Sequence, residues 1–198
     1  YAERLRDDMN RGVAIADALK AIIISGDGTI DNFEKVSENL MSDFVQSIQI
    51  APDGVVTEIY PAEGNEAGKI DLLHDENRGE ICRYGRDNKC VTMQGPFDLK
   101  QGGRGIVVRY PVYLEAADGN PVFWGFTIVI IRVPEIFEES VQALTDFGYD
   151  YCLTKTVSPL SEERERLSFS KEDLTNPVTY TFEFGGCTFN LAVTPKDG

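Results

Sequence analysis

Few residues in this chain carry reactive chemistry. His74 is the one histidine among 198 residues, and Asp71 and Asp75 flank it at a spacing that lets a carboxylate orient an imidazole as a base. No G-x-S-x-G or other nucleophile motif accompanies them, so no enzyme activity is expected here. The string Asp27-Gly28-Thr29-Ile30-Asp31-Asn32-Phe33-Glu34 matches the second half of an EF-hand calcium loop. Counting back puts Ile23 and Ser25 where the loop needs its first carboxylate oxygens, which opens the cage and predicts a helix–helix turn. Gln101-Gly102-Gly103-Arg104-Gly105 is glycine-rich, but it precedes a strand and lacks the Lys-Ser/Thr of a phosphate loop. A tight inter-strand loop is expected there. The four cysteines, Cys82, Cys90, Cys152 and Cys187, contain no C-x-x-C and form no zinc pattern with one histidine. They are open to two readings. Cys152 and Cys187 sit in strand-like stretches suited to a cross-strand disulfide, and Cys82 with Cys90 would close a short loop; two such bonds imply an oxidising compartment. Otherwise they are buried free thiols. Neither a metal nor a cofactor is expected.

Charge narrows the partners. Lys and Arg number 19 against 33 Asp and Glu, a net charge of −14. Binding that gains its affinity by neutralising phosphates needs clustered cations, so nucleic acid is excluded as a partner, and so is adsorption to anionic headgroups. At 42% hydrophobic and 10% aromatic the chain can bury a core as one large domain or two small ones. No apolar run reaches the roughly 18 residues that span a bilayer. The chain opens inside a helical pattern and stops just after a strand-like one, as expected of a piece of a longer protein whose membrane anchor lies elsewhere.

The elements that must position these residues change period along the chain. Over residues 1–25, Leu5, Met9, Gly12, Ala16, Leu19 and Ile23 form a heptad seam on one helix face. It packs either on its own domain or on a second chain. A second helix is expected from Asp31 to about Asp43, with Phe33, Val36, Leu40 and Phe44 inward and Asp31 or Thr29 as cap. Ser47–Ala51, the turn Pro52-Asp53-Gly54 and Val55–Tyr60 read as a hairpin. Residues 61–88 are polar, with room for short helices around Leu72 and Ile81. Strands follow at Cys90–Gln94, Gly105–Glu115 and Val122–Val133, the last so continuously apolar that it must be central and covered on both faces. Pro134 opens a helix that Gly148 closes. Beyond it come Tyr149–Val157, a charged linker at residues 162–166, Val178–Phe184, and Cys187–Val193. The fold class is α+β: a helical stalk at 1–45, an antiparallel-sheet module at 46–148 and a smaller β module at 149–198.

Several strings resemble, in order, the CHASE domain, the extracytoplasmic sensory domain of membrane histidine kinases and nucleotide cyclases. They are Pro52-Asp53-Gly54-Val55-Val56-Thr57-Glu58-Ile59-Tyr60-Pro61, Glu63-Gly64-Asn65-Glu66-Ala67, Ile70-Asp71-Leu72-Leu73, Gly95-Pro96-Phe97-Asp98-Leu99-Lys100-Gln101-Gly102-Gly103, Arg109-Tyr110-Pro111-Val112-Tyr113 and Phe123-Trp124-Gly125-Phe126. Ala67-Gly68-Lys69 departs from the more apolar stretch of many bacterial relatives. The resemblance implies a long helix leaving a membrane span, then a distal and a membrane-proximal PAS-like antiparallel-sheet module. It implies a small-molecule sensor, without catalysis of its own, in a protein of histidine-kinase or diguanylate-cyclase type. Plant cytokinin receptors, which are relatives, bind an adenine-type ligand in the distal module. By motif their ligand contacts fall on Asp71, through its carboxylate, and on Met93, through its backbone, with Phe97, Tyr110, Tyr113 and Trp124 as aromatic walls. The heptad seam then becomes the expected homodimer contact. The competing expectation is a protein-interaction module using residues 61–88 and the acidic surface.

Overall fold

The computed structural model describes residues 1–62 and 70–196; the strings Glu63–Ala67 and Ala67-Gly68-Lys69 lie outside the described residues. Helix α1, Ala2–Ser25, buries every seam residue, Leu5, Met9, Gly12, Ala16, Leu19 and Ile23. What covers them is the chain's own sheet. Strands β1 (Val45–Pro52), β2 (Glu58–Tyr60), β3 (Thr92–Asp98), β4 (Arg104–Glu115) and β5 (Pro121–Val133) form, among the described residues, a five-stranded antiparallel sheet in the order β2-β1-β5-β4-β3. Its register aligns Ile48 with Val129 and Val108, and Ile131 with Ile106, on one face. That apolar ridge receives α1, and the Thr127 hydroxyl on it donates to the Ala16 carbonyl at 2.8 Å. A Cβ at Gly12 would come within 2.2 Å of Ile131 Cδ1, so the glycine lets the helix lie low on the strands. The seam is therefore an internal contact, which corrects its assignment to a homodimer interface.

The second helix, α2, is shorter than expected, Phe33–Leu40, because Phe44 is drawn into sheet pairing through the Arg132 N–H at 2.7 Å. Neither Asp31 nor Thr29 caps it; Asn32 does so in a left-handed conformation without a side-chain bond, and the Thr29 hydroxyl turns back to the Gly26 carbonyl. Helix α3, Gly79–Asn88, covers the opposite face of the sheet, and α4, Glu138–Asp146, follows a single 3-10 turn at Glu135–Phe137. Strands β6 (Tyr149–Thr156), β7 (Arg164–Phe169), β8 (Val178–Phe184) and β9 (Cys187–Pro195) make a second sheet in the order β7-β6-β9-β8. The last three residues of the charged segment expected to be a linker, 164–166, thus open β7, an edge strand, where charges discourage pairing with another chain.

All four cysteines are free. The disulfide reading is corrected by register: Cys152 faces Ala192 while Cys187 faces Phe184, which separates them by roughly 17 Å along β9. Cys82 and Cys90 are held apart by α3, in which Cys82 lies packed with Leu72, Leu73 and Phe126. Burial pushes all four thiols above their ordinary range. In denaturant without reductant, mass measurement after alkylation is expected to count four modified thiols, and in the folded chain Cys90, the least buried, should react first. Fewer than four would restore a cross-link.

Candidate ligand-binding site

The sheet face turned away from α1 floors a cavity of about 850 Å³. Alternation puts Ser47 and Gln49 of β1, Ile128 and Ile130 of β5, Val107 and Arg109 of β4, and Gln94 of β3 on that floor. Val56, Ile59, Ile70 and Leu72 wall one side; Asn77 and Arg78 precede α3, and residues 98–101 close the other rim. Two more open hollows, of about 680 and 670 Å³, lie where the sheets meet.

The electrostatics of the cavity oppose those of the chain. Among the described residues its lining carries three cationic side chains, Arg78, Lys100 and Arg109, against one carboxylate, Asp98. Arg78 is paired with Asp75 at 3.0 Å. Arg109 is only 2% exposed; its Nη1 donates to Gln94 Oε1 at 2.7 Å and its Nε has no partner among the described residues. Burial lowers its proton affinity, yet a guanidinium remains charged.

Of the residues expected to contact ligand, Phe97 lines the cavity. Tyr113 is on the same side of the sheet but lies against α3, its ring 5.7 Å from Phe123 and its hydroxyl donating to the Arg86 carbonyl. Asp71 is not brought in. Neighbours Ile70 and Leu72 point inward, while the Asp71 side chain is 48% exposed, 2.8 Å from His74 Nδ1, and the hydrogen bond from His74 holds its carboxyl below the usual carboxylate range. Met93, Tyr110 and Trp124 face the other way. Tyr110 pairs with Thr127 on the α1 face and carries Lys20 Nζ 4.5 Å from its ring centroid; Trp124 Nε1 donates to the Gly28 carbonyl at 3.0 Å. Met93 is buried against the second sheet, its N–H donating to the Gly185 carbonyl at 3.0 Å and its carbonyl accepting from Cys187 Sγ at 3.4 Å. The residues that sequence reading missed are Arg109, Gln94 and Gln49. An arginine inside an otherwise apolar strand was the available signal, since charges are rarely buried without a reason.

Strand β3 also ties the cavity to the second sheet. Its register shifts between Gln94 and Phe97, and at that irregularity the Gly95 N–H donates to the Val157 carbonyl at 2.9 Å. The Gly95 carbonyl accepts from the Lys155 ammonium at 2.7 Å, which also donates to the Thr156 carbonyl at 2.7 Å.

A helix laid on one face of an antiparallel sheet, a polar-floored cavity on the other and a second sheet bonded to the cavity wall define a ligand-sensing module. The chain belongs to the CHASE domain family, a family of extracytoplasmic sensory domains, whose model matches residues 28–164. Solved structures agree at the level of fold. An extracellular ligand-binding receptor from Desulfohalobium retbaense is 14% identical with a TM-score of 0.68, over 97% of this chain and 38% of the other, so this chain spans well under half of that receptor. The ligand-binding domain of the Pseudomonas aeruginosa amino acid chemoreceptor PctC, in complex with GABA, is 12% identical with a TM-score of 0.53, over 97% of this chain and 91% of the other. That of the Campylobacter jejuni chemoreceptor Tlp3, in complex with 4-methylisoleucine, is 10% identical with a TM-score of 0.54, over 98% and 84%. No curated protein matches the chain in sequence. The α+β architecture expected from the sequence, a long N-terminal helix followed by two PAS-like antiparallel sheets, is the one observed.

Proposed function

We propose that this sensory domain is the extracytoplasmic part of a membrane-anchored signalling protein of histidine-kinase or diguanylate-cyclase type, and that it binds a small organic molecule in the cavity of the first sheet. The observation that carries the reading is that one strand, β3, both floors the cavity through Gln94 and is hydrogen-bonded into the second sheet through Gly95. Ligand that binds one arrangement of β3 more tightly shifts the equilibrium toward it, and the second sheet registers the shift. The small polar ligands of the two chemoreceptor domains support a ligand of similar size. The first sheet is then the distal module and the second the membrane-proximal one, a placement supported by α1, whose first turns pack there through Arg6 on the Glu183 carbonyl at 3.2 Å. We assign Phe97 to the ligand and leave Asp71 outside it.

Thermal-shift screening against amino acids, short organic acids and purines tests this. A binder is expected to raise the melting temperature, by roughly 2.7 kcal/mol of stability at about a hundredfold excess over Kd. Val107→Trp, which fills the cavity floor, should abolish the shift, and Asp71→Ala should leave it unchanged. A shift that survives Val107→Trp, or loss of affinity in Asp71→Ala, would move the site elsewhere.

A further inference from the structure

We infer that the cavity selects a ligand carrying a carboxylate, held by the guanidinium of Arg109; this rests on the cavity being the ligand site. Arg109 is buried at 2% exposure in the middle of a strand whose neighbours are apolar. A buried charge is tolerated when something of opposite sign meets it. Among the described residues no carboxylate contacts it: Asp75 acts on Arg109 only through space, its oxygens being engaged by Arg78 at 3.0 Å and by the N–H groups of Asn77 and Arg78, each at 2.9 Å. The hydrogen-bond partner of Arg109 among the described residues is the neutral Gln94, and that amide is oriented, because its Nε2 donates to the Asn77 carbonyl at 3.1 Å while its Oε1 accepts from Arg109 Nη1. Gln94 thus engages Nη1 alone; the Nε is buried and, among the described residues, without a partner, and the side chain as a whole lines the cavity. A guanidinium edge offers two parallel N–H groups, the spacing of the two oxygens of a carboxylate. Around it lie Gln49 and Ile128, and further out Ile70, Leu72 and Phe97, so the rest of the ligand meets a mainly apolar wall.

The test uses defined probes on the whole chain: the common amino acids and straight-chain mono- and dicarboxylates, each beside its primary amide, together with inorganic phosphate. Binding is read by melting temperature and by the side-chain Nε–H resonance of Arg109 in a nitrogen-15 spectrum, assigned by its loss in Arg109→Lys. At least one carboxylate is expected to move that resonance while its amide does not. Arg109→Gln should weaken that carboxylate about 10- to 100-fold, and Arg109→Lys, which keeps the charge but not the fork, should fall between. Should Arg109→Gln fail to fold, the resonance in the parent chain decides alone. Equal binding of acid and amide, unchanged affinity in Arg109→Gln, or a response to phosphate only overturns the inference. A neutral compound whose binding is lost in Val107→Trp would do so while leaving the sensor reading intact, whereas a chain that no probe stabilises overturns both.

Discussion

Gly125→Ala is expected to abolish cooperative folding. Gly125 lies in the central strand, opposite Pro52 of β1 on one side and Val112 of β4 on the other, with φ at +149°. A Cβ there would stand 2.1 Å from the Ala51 carbonyl oxygen and 2.9 Å from both the Ala51 carbonyl carbon and Pro52 Cα. These are backbone atoms inside a ladder, so relief requires separating β1 from β5. That separation would also break the 2.7 Å bond from the Asp53 N–H to the Trp124 carbonyl. Unfavourable φ and the clash together cost on the order of 5 kcal/mol, comparable with the roughly 5 to 15 kcal/mol that stabilises a whole domain. Gly103→Ala is the control: φ is also positive, at +77°, but nothing stands within 4 Å of the added carbon, and only about 1 kcal/mol should be lost. Circular dichroism melts would show it. A cooperative Gly125→Ala transition within a few degrees of the parent would mean that β1 and β5 approach less closely than described.

Lys155→Met is expected to destabilise the chain by roughly 2 to 4 kcal/mol. The side chain is fully buried and its ammonium donates to the carbonyls of Gly95 and Thr156. Methionine leaves both acceptors unmet, a loss only partly offset by no longer burying a charge. Urea unfolding measures the difference, and faster exchange of the Gly95 amide would locate it at the joint between the sheets. The pH dependence gives a second signature. Burial pushes the ammonium below its ordinary 10.5, so between the lowered value and 10.5 the unfolded chain binds more protons and stability rises with pH. Below the lowered value the penalty is present in full. The four thiols raised by burial slope the other way above their ordinary 9.0, so Lys155→Met should shift the net alkaline slope downward by the Lys155 contribution. An unchanged unfolding free energy together with an unchanged slope would show that Lys155 does not hold the joint.

Legibility followed the strength of local patterns. The seam of α1 and the strands of the first sheet were readable because helix and strand periods differ and the turns carry Gly, Asp and Pro. Which face each strand residue takes was harder. In Val122–Val133 nearly every position is apolar, so alternation could not separate Trp124, which faces α1, from Ile128, which faces the cavity. Tyr110 and Arg109 are adjacent, and an aromatic looked more like a pocket wall than an arginine; the register with β5 reverses that. Strand β7 was hidden because Arg164, Glu165 and Arg166 read as solvated charge, and only its pairing with β6 makes it a strand. The family strings identified the architecture better than the ligand contacts. Much of their content is scaffold, as Gly125 illustrates.

The bond from Thr127 to Ala16 has a mechanical consequence. Thr127 occupies the back of the strand whose next residue, Ile128, faces the cavity. Helix α1 is a continuous 24-residue rod, roughly 36 Å long and stiff along its axis. It is pinned near its middle by the cavity floor and touches the second sheet near its start. Such a rod cannot absorb a tilt at the pin by bending. Under the proposed relay, a rotation of the floor by a few degrees would carry α1 with it and displace Arg6 by an amount that grows with distance from Ala16.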